Sequence, residues 1–355
     1  MTVDVPRAAA LAIGRSVASA EVTTRAEIAY DPFLAGRTVE RVAGSARTVA
    51  GEEVPWSAVV KRTSGVDLRA ARRELDAYRS GVAGAEPSTG LRAPKLLGWS
   101  DQDGIELWLE EVRDAHGGRW PVVRYGRAAA HIAAWDARRA SLDLPGTFDA
   151  EDAWAERHGQ PERVDDVLAE IAGMAGEPAA RAVMEQLEDP GFQRLAALVT
   201  GTPARIERLE RFAVSPLHHD LVRSNLFALD EDTTVAIDWE NVGRGPLGVD
   251  LVPLVLGSVR RGEAAADDLL AIEEAVLAGY VRGLGATGEP RESDVRAAYH
   301  EAIGLRWHVV LGTVRAALDP SMWGMRGSRR DEPREEALRH LFALSRHILA
   351  AGDAG

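Results

Sequence analysis

The pattern of apolar and polar positions changes once along the chain, from short alternating runs to long helical periods. Residues 1 to about 30 are alanine-rich and amphipathic, which predicts a helix followed by a connector. Residues 67–80 place apolar side chains at helical intervals and predict a second helix. Other runs are rich in Val and Thr and punctuated by glycine, which predicts β-strands. The predicted strands are residues 37–42, 47–50, 56–62 and 105–112.

Beyond residue 119 the pattern is helical, apart from one hairpin. The apolar runs 226–229 and 235–237 flank a polar turn and together predict two paired strands. Helices are predicted over 123–140, two or three segments of 151–200, 204–211, 251–259, 264–284, 292–318 and 334–351.

The order of these elements predicts an α+β fold with two lobes. A small β-rich N-terminal lobe spans residues 1–112, and a polar, glycine-containing linker spans 113–118. A large, mainly helical lobe spans 119–355. A chain of 355 residues is long for one core, which agrees with two lobes. Because clefts between lobes are favoured ligand sites, we expect the functional residues to face such a cleft.

Polar side chains gather around the hairpin. Asn225 precedes its first strand and Asp238 follows its second, so the hairpin should bring the two side chains together. Oxygen ligands of this kind suit Mg²⁺, which takes few protein ligands and leaves room for substrate phosphates. Asp220 lies just upstream, where we expect it to reach a substrate hydroxyl.

Composition narrows the class of protein. The net charge of −13 argues against nucleic acid or an anionic membrane surface as the main partner. The absence of cysteine excludes disulfides, thiolate metal sites and cysteine nucleophiles. No apolar run is long enough to cross a bilayer, and residues 8–14 favour an amphipathic helix over a signal peptide. We therefore expect a cytoplasmic protein.

Two ordered motifs carry a resemblance to a known family. Residues 218–225 (HHDLVRSN) match the HxDxxxxN catalytic loop of kinases, and residues 237–240 (IDWE) match the metal-binding motif that follows it. Residues 245–251 (GPLGVDL), which contain Asp250, add to the match. The chain thus resembles the aminoglycoside phosphotransferase and choline kinase family, which has a protein-kinase-like fold. The resemblance covers the chain from roughly residue 35 to the C-terminus.

The resemblance implies roles for the residues around the hairpin. Asp220 would accept or orient the proton of the substrate hydroxyl, and Asn225 and Asp238 would hold Mg²⁺ on the nucleotide phosphates. Lys61 would bind the α- and β-phosphates of ATP or GTP and pair with Glu74. Taken alone, these last two residues are also compatible with a solvent-facing lysine and an ordinary surface carboxylate.

Further roles are implied for the small lobe and for the start of the loop. Gly44 and Ser45, in a predicted turn that is also compatible with a plain hairpin, would lie over the phosphates. The hinge would contact the base through backbone groups of Glu110, Glu111 and Val112. His218 would brace the catalytic loop.

Other polar and aromatic residues keep two interpretations. Arg223 stands where many relatives have a different loop sequence, and it is compatible with a phosphate or anionic-substrate contact or with a surface ion pair. We expect the acceptor pocket within residues 120–200 and 240–330. Trp239, Glu240, Trp307 and Trp323 are candidates to line it, although a tryptophan is more often a core residue than a ligand contact.

Other classes of protein fit less well. A protein kinase needs an activation segment of roughly 20 to 30 residues after its metal-binding Asp, whereas GRGPLGVDL follows Asp238 almost at once. An inactive nucleotide-binding protein would be expected to lack one of the four main site residues. A zinc hydrolase fails because Gly304 replaces the second histidine after His300–Glu301.

The sequence therefore predicts a small-molecule kinase. An antibiotic hydroxyl is the leading acceptor, because the Ala-, Arg- and Gly-rich composition is typical of high-GC bacteria, in which such kinases are common. A metabolic kinase of a sugar, amino alcohol or amino acid is the alternative.

Overall fold

The computed structural model describes residues 3–28, 36–65, 68–84, 87–139, 161–187, 190–285, 292–319 and 333–351. These residues form two compact units. The first unit contains residues up to 115 together with 227–242, and the second contains the remaining described residues. The first is built on an antiparallel sheet and the second is mainly helical. The predicted α+β class is confirmed, and the division at 115/116 falls inside the predicted linker.

The first unit contains a five-stranded antiparallel sheet in the order β1-β2-β3-β6-β5. Its strands are β1 (Val17–Glu27), β2 (Arg37–Thr48), β3 (Glu53–Thr63), β5 (Leu96–Ser100) and β6 (Ile105–Glu110). A smaller sheet has the order β4-β9-β8, formed by β4 (Leu91–Arg92), β8 (Leu226–Ala228) and β9 (Thr234–Ala236). The predicted hairpin is therefore present as β8 and β9.

Two helices cover opposite faces of the larger sheet. Helix α1 (Val5–Ile13) packs Ala8 and Ala9 against a cluster that includes Trp56 of β3. Helix α2 (Leu68–Arg79) packs on the face that presents Leu75 and its partners. Because side chains alternate along a strand, Lys61 points to the α2 face while Val60 points to the α1 face.

Two predictions for the first unit are wrong. Residues 17–27 form strand β1 rather than the end of a helix and a connector. This edge strand is mostly exposed and carries few large apolar side chains, so its alternation is weak. The predicted turn at residues 43–46 lies inside β2, where Gly44 pairs with Val22 on one side and Trp56 on the other.

Gly44 is required for close packing. A Cβ atom at this position would overlap the carbonyl oxygen of Glu21 and crowd the indole of Trp56, whose N–H donates to Glu21 (3.2 Å) and Ser45 (3.3 Å). The hairpin between β2 and β3 turns instead at Gly51, which has a φ of 85°.

The second unit is a helical assembly with one small sheet. Strands β7 (Val214–Leu217) and β10 (Gly243–Pro246) pair in an antiparallel manner. A π-helical segment, Pro253–Gly257, continues into the short helix Ser258–Arg260. The longer helices are α3 (Val122–Arg139), α4 (Pro161–Gly176), α5 (Pro178–Leu187), α6 (Gly191–Thr200), α7 (Thr202–Leu209), α8 (Leu269–Leu284), α9 (Glu292–Gly304), α10 (Trp307–Leu318) and α11 (Arg334–Ala351). The helix predicted over 292–318 is thus two helices.

Helices α3 and α8 pack closely through glycine. A Cβ atom on Gly279 would overlap the backbone of Gly126, and one on Gly283 would overlap the carbonyl of Ala130. This close approach places polar side chains of the two helices side by side, as described below. Among the described helices, none combines the length and the apolar character that a membrane span requires.

Candidate active site

Lys61 and Glu74 form a buried ion pair in the first unit. The Lys61 Nζ lies 2.7 Å from the Glu74 Oε2, and both side chains are buried. The interpretations of Lys61 as solvent-facing and of Glu74 as a surface carboxylate are therefore wrong. Strand β3 supplies the lysine and helix α2 the carboxylate, so the pair links the sheet to the helix that covers it.

Asp238 joins the same ion pair. The Lys61 ammonium also donates to the Asp238 carboxylate, and it lies 3.6 Å from an oxygen of Glu240. Carboxylate oxygens of Glu74, Asp238 and Glu240 all lie within 4.8 Å of one another. Burial raises the pKa of Glu74 to about 6 against the opposing effect of Lys61, and the charge of Asp238 raises it further. Two cations, Lys61 and Arg37, face these three carboxylates, and the one negative charge left over suits a divalent cation.

The backbone at Asp238 is left-handed, with φ 67° and ψ 57°. Few residues other than glycine adopt this conformation, and such strain is concentrated at functional sites. The next residue, Trp239, is buried, and its indole N–H donates to the carbonyl of Ala236 at 2.8 Å. The strained backbone of Asp238 is therefore followed directly by Trp239, which is fixed in the core. Of the two interpretations of Trp239, as a residue of the acceptor pocket or of the core, the structure supports the core.

The loop between β7 and β8, in the second unit, holds Asp220 and Asn225. The amide nitrogen of Asn225 donates to the main-chain carbonyl of Asp220 at 2.9 Å and to its Oδ2 at 3.0 Å. Asn225 is buried, whereas Asp220 is partly exposed. Asn225 thus orients the carboxylate of Asp220, and its amide oxygen is the atom that it can offer to a cation.

Asp250 holds the start of this loop. Its two carboxylate oxygens accept the backbone N–H groups of His218 and His219, each at 2.7 Å. Burial raises the pKa of Asp250 to about 7, and these two hydrogen bonds oppose the rise. His219 has a φ of 64°, and the Nδ1 of the buried His218 lies 3.3 Å from the Asp220 amide nitrogen, which donates to it. Sequence motifs drew attention to Asp250 without assigning it this role.

A second buried carboxyl, Asp136 on α3, lies behind the loop. The Tyr280 hydroxyl of α8 donates to Asp136 Oδ2 at 2.5 Å, and Ser215 donates to the Asp136 carbonyl at 2.6 Å. Burial raises the pKa of Asp136 well above its usual range, and the charge of Asp250 raises it further. Sequence reasoning missed this group. The only signal is an Asp at the helical position next to Trp135 on an apolar face.

Arg223 is buried and braces the loop. Its guanidinium donates to the carbonyls of Leu226 (2.9 Å) and Gly118 (3.1 Å) and lies 4.1 Å from the ring centre of Trp120. The interpretation as a surface ion pair is therefore wrong. These contacts tie the catalytic loop to the segment that leads into α3, so they give Arg223 a structural role within the second unit.

Strand β2 does not supply a phosphate-binding turn. Gly44 lies within the strand on the α1 face, opposite to Lys61, so the turn on which its assignment over the phosphates depended is absent. Ser45 is also a strand residue and loses the turn on which its assignment depended. Strands β1 and β2 are joined instead through residues 28–36, of which 29–35 lie outside the described residues.

The predicted hinge is partly occupied by other contacts. The Glu110 amide donates to the Lys95 carbonyl at 2.9 Å, and the Glu110 carboxylate binds Arg92 at 2.7 Å. A base contact through the Glu110 N–H is therefore excluded by this arrangement. The Glu111 carboxylate pairs with Arg41 at 2.9 Å. Contacts of the nucleotide base with the backbone of Glu111 and Val112 stay predictions.

The remaining tryptophans predicted for the acceptor pocket differ in outcome. Trp307 is buried, and its indole N–H donates to the Thr202 hydroxyl at 3.1 Å, so it is a core residue of the helical unit. Trp323 lies outside the described residues, as does most of its loop. Glu240 forms an ion pair with Arg37 at 2.6 Å, and its contact with an acceptor stays a prediction.

Comparisons with solved structures identify the fold. No protein-family model and no curated protein matches the sequence. The chain is similar to an aminoglycoside phosphotransferase from Alicyclobacillus acidocaldarius, with 15% identity, coverage of 94% of this chain and 92% of that one, and a TM-score of 0.56. A choline/ethanolamine kinase family protein from Mesorhizobium loti has 14% identity, 94% and 93% coverage and a TM-score of 0.47. An amicoumacin kinase in complex with AMP-PNP, Ca²⁺ and Ami has 13% identity, 93% and 88% coverage and a TM-score of 0.49.

The first of these similarities establishes the fold. The chain has the fold of an aminoglycoside phosphotransferase, the architecture that its motifs at 218–225 and 237–240 also resemble.

Proposed function

We propose that this protein is a small-molecule kinase, which transfers the γ-phosphoryl group of ATP or GTP to a substrate hydroxyl. The observation that supports this most strongly is the ion-pair network of Lys61, Glu74 and Asp238 on a phosphotransferase fold. Phosphoryl transfer needs positioning and charge neutralisation more than covalent help. A lysine, metal-binding oxygens and one carboxylate near the nucleophile therefore suffice.

In this proposal some site residues act on the nucleotide and others act on the acceptor hydroxyl. Lys61, held by Glu74, neutralises phosphate charge when it exchanges the Asp238 carboxylate for phosphate oxygens. Asp220 accepts the proton of the attacking hydroxyl, and its carboxylate is oriented for this task by Asn225. His218 fixes the backbone at Asp220 through the hydrogen bond to its ring nitrogen.

The donor set fits a hard divalent cation, and we propose Mg²⁺. Asp238 and Asn225 carry the oxygens that would hold it. When bound, the ion neutralises charge that develops on the nucleotide phosphates. The left-handed backbone of Asp238 keeps its carboxylate beside Lys61. The same carboxylate is therefore both the proposed metal ligand and the partner of the phosphate-binding lysine.

The acceptor is a small molecule in this proposal. Strand β10 begins at Gly243, only five residues after Asp238, and Asp250 already binds the catalytic loop. An activation segment for peptide docking does not fit between them. We propose an antibiotic hydroxyl as the acceptor, as in resistance or self-protection, which the name of the aminoglycoside phosphotransferase supports. A metabolic sugar, amino alcohol or amino acid is the alternative acceptor.

A coupled nucleotide-consumption screen tests the proposal. The protein is supplied with Mg²⁺ and ATP or GTP and is offered hydroxylated antibiotics and, separately, common metabolites. Acceptor-dependent turnover should be lost in Asp220→Ala and kept in Asp267→Ala, a matched exposed carboxylate of the second unit. Turnover with a sugar or amino alcohol and with no antibiotic would refute the antibiotic acceptor, and unchanged turnover in Asp220→Ala would refute the mechanism.

A further inference from the structure

Glu240 connects the turn at residues 238–242, called the Asp238 turn, to the main sheet through a largely buried ion pair. The Arg37 Nη1, at the start of β2, lies 2.6 Å from Glu240 Oε2, and the side chains are 2% and 12% exposed. A buried charge is stable only with its partner, because the loss of one member leaves the other desolvated and uncompensated. This pair therefore fixes the end of the turn to β2.

The sheet register places Arg37 beside Lys61. Arg37 is paired with Thr63, and Val39 is paired with Lys61, so the two cations lie on adjacent strands and on the same face. Glu240 lies within ion-pair distance of both, at 2.6 Å from Arg37 and 3.6 Å from Lys61. Arg37 is the nearer partner of Glu240, while Lys61 binds Glu74 and Asp238.

The backbone of Glu240 is held by a residue of a different element, helix α2. The Arg73 guanidinium donates to the Glu240 carbonyl at 3.0 Å. Arg73 precedes Glu74 on α2, so this helix holds both the partner of Lys61 and the turn that carries Asp238. Two arginines from different elements thus bind the side chain and the carbonyl of one residue.

We propose that Arg37 and Glu240 are positioning residues, which hold the strained Asp238 turn so that its carboxylate stays directed at the nucleotide-side face of the sheet. The identity of the ligand that Asp238 binds there rests on the proposed function, whereas the role of Arg37 and Glu240 in holding the turn is independent of that function. The competing role for Glu240 is direct ligation of the metal, since its oxygen lies within 4.8 Å of oxygens of Asp238 and Glu74. The two roles differ in what Arg37 does, and this difference can be measured.

The first measurement is amide hydrogen exchange of the full-length chain without nucleotide. The variants are Arg37→Met, Glu240→Gln and the double variant. The control is Arg25→Met, which removes an exposed ion pair with Glu40 from the same sheet. Each test variant should accelerate exchange of residues 238–242 on the order of 10-fold, and the double variant should add little more. Wild-type exchange in Arg37→Met would overturn the proposal.

The second measurement is the dependence of nucleotide affinity on the metal. Dissociation constants of non-hydrolysable ATP and GTP analogues are compared in Mg²⁺ and in EDTA. Arg37→Met should reduce the gain in affinity from Mg²⁺ about 10-fold, as loss of a residue that orients a metal ligand does, with little change in EDTA. A general loss of packing would weaken binding in both conditions and lower the unfolding temperature.

The two measurements distinguish a failure of the proposed kinase function from a failure of the positioning role of Arg37 and Glu240. If the wild-type protein binds no nucleotide, the proposed function fails, and hydrogen exchange alone decides whether Arg37 and Glu240 hold the turn. If Glu240→Gln abolishes the Mg²⁺ effect while Arg37→Met preserves both the effect and normal exchange, Glu240 is a metal ligand and the positioning role is wrong.

Discussion

At the scale of single residues, Lys61 neutralises part of the negative charge of the carboxylates that surround it. Its ammonium contacts Glu74 and Asp238 and lies near Glu240. The resemblance to the kinase family implied its pairing with Glu74, whereas the local patterns alone were also compatible with a solvent-facing lysine and a surface carboxylate. The patterns gave no sign of Arg37 or Arg73, since an arginine at a strand end or on a helix usually faces solvent.

Lys61→Met should damage both stability and nucleotide binding. The change leaves buried carboxylates without their cation, so the free energy of unfolding should fall by about 3 kcal/mol. Affinity for the Mg²⁺–nucleotide complex should fall roughly 100-fold through the loss of phosphate neutralisation. Urea unfolding and nucleotide titration measure the two effects. The exposed Lys95→Met is the control, and a Lys61→Met protein with normal affinity would contradict the role of the lysine.

Two buried carboxyls of the second unit, Asp136 and Asp250, predict a pH effect. The pKa of Asp136 is raised well above its usual range and that of Asp250 to about 7, both chiefly by burial. Unfolded carboxyls titrate near about 3.9. From about pH 4 to 7 the folded state therefore retains protons that the unfolded state has released, and the free energy of unfolding falls as the pH rises.

Asp136→Asn should flatten this dependence. Asparagine keeps an acceptor for the Tyr280 hydroxyl and removes one titrating group. The decline of the unfolding free energy with rising pH should be weaker than in the wild-type protein between pH 5 and 7. Urea unfolding across this range measures it, with the exposed Asp267→Asn as control. An unchanged slope would show that Asp136 is ionised in the folded protein.

At the scale of elements, glycine misled the sequence interpretation. Val- and Thr-rich runs on both sides of Gly44 suggested two strands and a turn, whereas β2 is continuous from Arg37 to Thr48. A glycine that admits a neighbouring backbone and a tryptophan cannot be distinguished from a turn glycine by local pattern. Helices such as α3 were predicted well because their apolar period repeats over several turns, although the period did not reveal the break between α9 and α10. Strand β1 was missed because its exposed edge lacks such a period.

Gly44→Ala distinguishes these two roles of the glycine. The added methyl group would overlap the Glu21 carbonyl, so the free energy of unfolding should fall by about 1–3 kcal/mol. The control is Gly173→Ala on α4, where a Cβ meets nothing and alanine should stabilise by about 0.5–1 kcal/mol. Full stability of Gly44→Ala with weakened nucleotide binding would instead restore the phosphate-binding role.

At the scale of the whole molecule, chain order and structural units differ. Residues 227–242 follow the start of the helical region in sequence, yet they belong to the unit that contains the main sheet. The contacts responsible are long-range, from Lys61 to Asp238 and from two arginines to Glu240. Hydrophobic periodicity reports local structure only, so it predicted the hairpin but not the unit to which the hairpin belongs.

The motifs determined more about the reaction than about the acceptor. The order of Asp220, Asn225 and Asp238 predicts phosphoryl transfer, and the short segment before Asp250 favours a small acceptor. The identity of the acceptor depends on pocket shape, which helix periodicity does not encode. One of the tryptophans proposed to line the pocket, Trp307, is instead part of the helical core.

The most direct test of the central claim is transfer of the terminal phosphoryl group itself. The protein is incubated with Mg²⁺, ATP or GTP labelled in the γ-phosphoryl group, and the acceptor that supports turnover, and the products are examined by ³¹P NMR. The wild-type protein should form a new phosphate monoester on the acceptor, and Asp220→Ala should form none. Label that appears only as inorganic phosphate, or an ester formed equally by Asp220→Ala, would contradict the kinase function.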